Sequence, residues 1–192
     1  MRRPSTRQRR LVILTLALIT FGLAYYAGFT QKSHPVPHIQ GVSIVPPTPT
    51  PPFMLLDHNG ANYDDQRLLG HWSLLMLDPT GQQQPAPAFI RLMKVHNRMA
   101  THPQLQSATH FLYLSKYSGA GLQPSTSYLS NNLIALHANP DKTEQTFLRF
   151  GVTSDANTPS LYLIGPQGNL HALFTDAVDA ATIAGDLIKL IN

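Results

Sequence analysis

The chain contains no cysteine among its 192 residues. Disulfides, thiol–disulfide exchange, thiolate zinc sites and iron–sulfur clusters are therefore excluded within it. Charge is scarce too, at 12% of residues, about half the share of an ordinary globular chain. The formal net charge of +4 invites a reading as an anion binder, but its distribution removes that reading. Five of the 14 basic residues are Arg2, Arg3, Arg7, Arg9 and Arg10. Beyond them nine Lys or Arg stand against ten Asp or Glu, a net of −1. A near-neutral body lacks the basic face that a phosphate backbone requires, so no nucleic-acid partner is expected. Hydrolytic signatures are missing as well: no nucleophile elbow, no H-E-x-x-H and no paired-carboxylate motif occurs. Gly119–Gly121 lacks the flanking strand and helix of a phosphate loop.

What is present begins with an apolar stretch. Leu11 to Phe29 runs for 19 residues without a charge. A helix of that length spans about 28 Å, close to the hydrocarbon thickness of a bilayer. The arginine block precedes it, and Tyr25 and Tyr26 sit near its far end. Positive charge stays in the cytoplasm and tyrosine favours the interface, so the expected arrangement is a cytoplasmic segment 1–10 and a transmembrane anchor 11–29. Cleavage as a signal peptide fits less well, since Tyr25 would lie at −3 for a cut after Ala27. Residues 30–52 hold seven prolines between Pro35 and Pro52. Proline fixes φ and removes a donor, so this segment is expected to be an extended spacer outside the packed fold.

From residue 53 to 192 the composition is globular and long enough for an independent core. "FMLLDHNGANY" predicts a hairpin turning at Asn59-Gly60. "WSLLMLD" lacks alternation, as a strand buried on both faces would. A polar loop from Pro79 leads to a helix from about Pro87, with Phe89, Leu92, Met93 and His96 on one face. "HFLYLS" and "LIALHA" read as further strands, with a weak helix near residues 125–130 between them. Asp141 is expected to cap a helix ending at Gly151. "SLYLIGPQGNLHALF" predicts two antiparallel strands, and a last helix is expected from near Asp176. The order places helices on both faces of a central mixed sheet. A closing β-β-α after a β-α-β opening, with Pro159 just before the penultimate strand, is the thioredoxin-like arrangement.

The chain resembles the SCO/SenC family, thioredoxin-like proteins tethered to a membrane. The resemblance rests on "PFMLLDHNGANYDDQRLLGHW", with His71 where the family has Lys, on "YLIGPQGNL", and on the ending "IAGDLIKLI". It implies a role in delivering copper or reducing equivalents during cytochrome c oxidase assembly. The family's active strand, F-G-Y-T-x-C-P-x-x-C-P, laid on "LDPTGQQQPAP", puts its Thr on Thr80 and its last Pro on Pro87. Its two cysteines fall on Gln82 and Ala86, and its copper-binding His falls on Asn157. Amides and a methyl hold Cu(I) poorly, since that ion prefers thiolate, thioether and imidazole. The expectation is a degenerate, non-enzymatic member with no catalytic residue, cofactor or metal. It would bind or scaffold in oxidase assembly, beside oxidase subunits or an intact relative, on the periplasmic side of a bacterial inner membrane.

Two other readings stay open at this stage. Copper could be held by Met93, His96 and Met99, with His102 three residues further, or by His34 and His38 in the spacer. Packing and an ordinary polar linker are the plainer uses of those residues. A TlpA- or peroxiredoxin-like relative using a partner's thiols is the other. Asp78, at the end of an apolar strand, is either an acid with a raised pKa or a loop-starting residue that caps a nearby N–H. The anchor yields a direct prediction: the full chain stays with membranes through carbonate extraction, and removing residues 1–30 releases it. Release of the full chain by carbonate would contradict the anchor.

Overall fold

The computed structural model describes residues 14–23, 39–80, 86–118, 128–153 and 155–191. The chain divides into two units, Met1–Pro37 and His38–Asn192. In the first, residues 14–23 are helical (α1), with Leu14, Leu18 and Phe21 exposed. Among the described residues no helix is long and apolar enough to cross a membrane. The expected span 11–29 runs past the described residues at both ends.

The second unit is built on one mixed sheet of eight strands in the order β1-β8-β7-β4-β5-β6-β2-β3. They are β1 Val42–Pro49, β2 Met54–Asp57, β3 Asn62–Asp64, β4 Trp72–Asp78, β5 Thr109–Ser115, β6 Leu133–His137, β7 Ser160–Ile164 and β8 Asn169–Phe174. The pairs β4/β5 and β5/β6 are parallel, and the others are antiparallel. The helices are α2 Pro87–Arg98, α3 Pro103–Ser107, α4 Pro140–Arg149 and α5 Ala180–Ile191. Successive side chains of a strand point to opposite faces. Leu74 and Met76 accordingly join one core with Phe89, Leu92 and Val95 of α2 and with Ile183 and Leu187 of α5. Leu75 and Leu77 join the other, with Phe147 of α4 and with Phe150. The lack of alternation in β4 reflects helices on both sides.

The predicted hairpin is present as β2 and β3, turning through Gly60 at φ 81°. The Asp57 carboxylate accepts from the N–H groups of Asn59 and Ala61 and braces the turn. Three expectations are corrected. The spacer 30–52 does not stay outside the fold: Val42–Pro49 is an edge strand on β8. An edge position tolerates prolines because one side of the strand needs no donors. Pro46 and Pro47 fall where the register shifts, between Ser43 and Thr48. Helix α4 is capped by Asn139, whose side chain accepts from the Lys142 N–H at 2.9 Å, and Pro140 takes the first helical position ahead of Asp141. Helix α5 begins at Ala180 because Asp179, rather than Asp176, accepts from the N–H groups of Ala181 and Thr182. Of the weak helix expected near 125–130, residues 125–127 lie outside the described residues, and 129–130 are not helical.

The approach to β1 is fastened to α5. Asp186 is 1% exposed, and its carboxylate accepts from the Gln40 backbone N–H at 2.7 Å and from Lys189 Nζ at 3.1 Å. Ile39 is buried beside it in the sequence, and a Cβ at Gly41 would lie 2.6 Å from the Phe174 ring. Removing one partner of a buried hydrogen bond costs about 1–3 kcal/mol. Asp186→Ala is therefore expected to lower stability by about that amount and to accelerate hydrogen exchange selectively in Val42–Pro49. Unchanged protection of that strand would show that the carboxylate does not hold it.

Candidate functional site

The site lies where the parallel strands end and α2 begins. β4 closes on Asp78, which is 0% exposed. One Asp78 carboxylate oxygen accepts from the Thr80 N–H and the Thr80 hydroxyl, both at 2.8 Å. The other accepts from the Tyr113 hydroxyl at 2.7 Å. The Asp78 carbonyl accepts from the Lys116 N–H, so the strand end and the turn after β5 are tied together. Burial, and then the Asp78 charge, push the Tyr113 pKa well above the ordinary phenol range, so the phenol remains a donor. Phe89 of α2 meets the Tyr113 ring edge-on at a centroid distance of 5.1 Å. Asp78 thus acts as the expected capping residue. Three donors converge on a carboxylate shut away from solvent, which fixes the loop rather than presenting an acid or base to a substrate.

Residues 81–85, with Gln82, lie outside the described residues. Ala86 stands at the N-terminus of α2, just before Pro87, and is 0% exposed within the core that α2 and α5 share. The register Leu77↔Ser160 sets the start of β7 beside the end of β4. Pro159 and Asn157 therefore lie at the same end of the sheet as Asp78 and Ala86. Asn157 is exposed. The bond before Pro159 is trans, and the cis bond among the described residues is Val45–Pro46.

The residues at these positions do not fit a copper ion of the family's kind. The Ala86 methyl is a core contact with no donor atom, and Asn157 offers a neutral amide. Thiol exchange has no nucleophile in this chain. Met93 and His96 of α2, and Met99 just past its end, are occupied by packing. Met99 is fully buried and Met93 lies partly buried against the same core. The His96 ring stands edge-on to Phe111 at 5.0 Å, and its nitrogens meet Asn97 and Gln106 side chains at 3.2 and 3.4 Å. His102 is exposed ahead of α3. His34 and His38 lie outside the described residues. Among the described residues no group of three or more His, Asp or Glu side chains could hold a metal ion.

Sequence reasoning missed the Tyr113–Asp78 bond. A signal was available: a tyrosine inside the apolar run "HFLYLS" needs a partner for its hydroxyl, and Asp78 ends the neighbouring strand.

The fold defined by this sheet and these helices is thioredoxin-like. It matches yeast Sco1 with copper bound at a TM-score of 0.61 and 16% identity, covering 76% of this chain and 93% of that one. A SCO1/SenC family lipoprotein from Bacillus anthracis matches at 0.55 and 14% identity, over 78% of this chain and all (100%) of that one. The thioredoxin domain of a thiol-disulfide oxidoreductase from Bacteroides vulgatus matches at 0.58 and 9% identity, over 76% and 96%. No family model matches the sequence, and no curated protein matches it. The shared fold is therefore carried by tertiary structure at low identity.

Asp78→Ala is expected to destabilise the domain by about 1–3 kcal/mol, because it removes the carboxylate that accepts from the buried Tyr113 hydroxyl and from Thr80. Adding Tyr113→Phe should recover part of that loss in a chemical-denaturation double-mutant cycle. Additive effects would contradict the coupling.

Proposed function

We propose that the chain is a membrane-tethered SCO/SenC-like protein that binds or scaffolds during assembly of a respiratory cytochrome oxidase and has no copper or thiol chemistry of its own. The observation that carries the reading is Ala86. At the position where the family pattern has its second cysteine, a buried methyl packs at the start of α2. The likeness to Sco1 structures supports the assembly role, and the missing thiolates argue against delivery of the ion itself. The basic segment and apolar stretch support an inner-membrane anchor with the folded domain on the periplasmic side of a bacterium. The partners under this reading are oxidase subunits or a cysteine-bearing relative that carries the copper.

Two measurements together test it. Full-length tagged chain, drawn from detergent-solubilised membranes of its own cells, should bring down oxidase subunits or a cysteine-bearing relative. A deletion strain should show reduced oxidase content by difference spectroscopy. Full oxidase content in the deletion strain, with neither partner recovered, would overturn the reading. Tight Cu(I) binding by the purified chain that is lost with Met93→Leu and His96→Ala would favour copper handling through α2 instead.

A further inference from the structure

At the opposite end of β4, two imidazoles lie face to face. The His71 and His110 rings stack with centroids 4.4 Å apart and planes 21° from parallel. Ser73 pairs with His110 across the parallel strands, which sets His71 diagonally across from it. Strand β4 is about 20 Å long at its seven residues, so this place is well separated from Asp78 and Ala86. His71 is exposed, and His110 is half-buried. His110 is held a second time by β3, the outermost strand, since its Nδ1 lies 3.2 Å from the Tyr63 hydroxyl. Between Tyr63 and His71 runs the 3₁₀ turn Asp65–Leu68, and Tyr63 and Leu68 are both 0% exposed. The stretch 62–71 thus meets β5 through one imidazole at two places.

We propose that the His71–His110 stack is an acid-sensitive latch, which holds residues 62–71 against β5 while at most one ring is protonated and opens when both are. A cation is drawn to the face of a neutral aromatic ring. Two cations at that distance repel, the more so where one is half-buried. The neighbouring groups do little to balance a second proton. Arg67 is a further cation beside the pair, with its guanidinium 4.6 Å over the Tyr63 ring. Its charge is offset by Asp57, paired to it at 3.3 Å. Asp64 accepts from the Arg67 backbone N–H, and Asp65 meets the Gln66 amide. β4 opposes His110 with the neutral Ser73, and on the other side of β5 the Asn132 carbonyl is taken by the Phe111 N–H. Burial holds the Tyr63 pKa up at about 12, so that partner stays a neutral phenol.

Burial, then His71, then Arg67 lower the His110 pKa. The closed latch therefore keeps His110 neutral at a pH where a free histidine, with a pKa of about 6.5, is already charged. The opened segment binds more protons than the closed one. The latch is accordingly secure above about pH 6.5 and weakens as the pH falls from there toward the folded pKa of His110. One extra proton taken up on opening raises the opening constant by up to about tenfold per pH unit in that window. The latch shares no residue with the end of the sheet on which the proposed assembly role rests, so either can fail alone.

Hydrogen exchange of the full-length chain in detergent, corrected for intrinsic exchange, tests the latch at pH 7 and pH 5. Protection of residues 62–71 is expected to fall about tenfold more than that of β7 between the two, and the extra fall should vanish in His110→Gln. Imidazole proton resonances give a second readout. His110 should titrate below the ordinary histidine range in the parent chain. It should bind its proton at least about threefold more weakly in His71→Lys than in His71→Gln, since both remove the ring and only lysine leaves a cation. His71 is exposed, so these two variants decide the matter even if His110→Gln folds poorly. The same His110 titration in both His71 variants, or an undiminished acid loss of protection in a folded His110→Gln, overturns the proposal.

Discussion

Everything in the domain hangs on β4, a strand that must be apolar on both faces. Leu74 and Met76 feed one core and Leu75 and Leu77 the other, with all four shut off from solvent. Parallel pairing to β5 and antiparallel pairing to β7 satisfy its backbone on both edges. The one charged residue of the strand, Asp78, stands at its end. At one end stands Asp78, held by Thr80 and Tyr113. At the other stands His71, stacked on His110. The hydrophobic constraint thus decides where charged side chains can be.

At the Asp78 end the frame is set by packing. The loop leaves β4, α2 begins at Pro87, and the start of β7 lies alongside, as the Leu77↔Ser160 register requires. Those features are needed for packing, because α2 covers one face of the sheet. The Ala86 methyl is a small buried apolar group that serves the core. Scaffold and reactivity are separable here because different residues carry them.

The central elements were legible because burial writes a plain pattern. β4, β5, the hairpin at Gly60 and the α2 face were all readable from runs, turns and periodicity. β1 was not, because seven prolines signal a breaker, and the pattern does not say that an edge strand needs donors on one side alone. Asn139 and Asp179 displaced the expected caps by a few residues, since Asp, Asn and Pro near a helix start compete locally for the same N–H groups. At the site, the resemblance laid on "LDPTGQQQPAP" put one cysteine position on Ala86, which the structure buries at the start of α2. The Tyr113–Asp78 and His71–His110 pairs each join segments distant in sequence, and only the tyrosine inside an apolar run hinted at one of them. Periodicity describes one element at a time, and such pairs exist only once the sheet is assembled.

The central proposal is that the positions of Gln82, Ala86 and Asn157 belong to one place, as the family resemblance implies. The direct measurement is Cu(I) binding by a chain carrying Gln82→Cys, Ala86→Cys and Asn157→His, followed by X-ray absorption at the copper edge. The account predicts equimolar, tight Cu(I) with sulfur and nitrogen ligands in the triple variant and none of that coordination in the parent chain. A triple variant that folds normally yet binds Cu(I) no better than the parent would contradict it, because the three positions would then not converge.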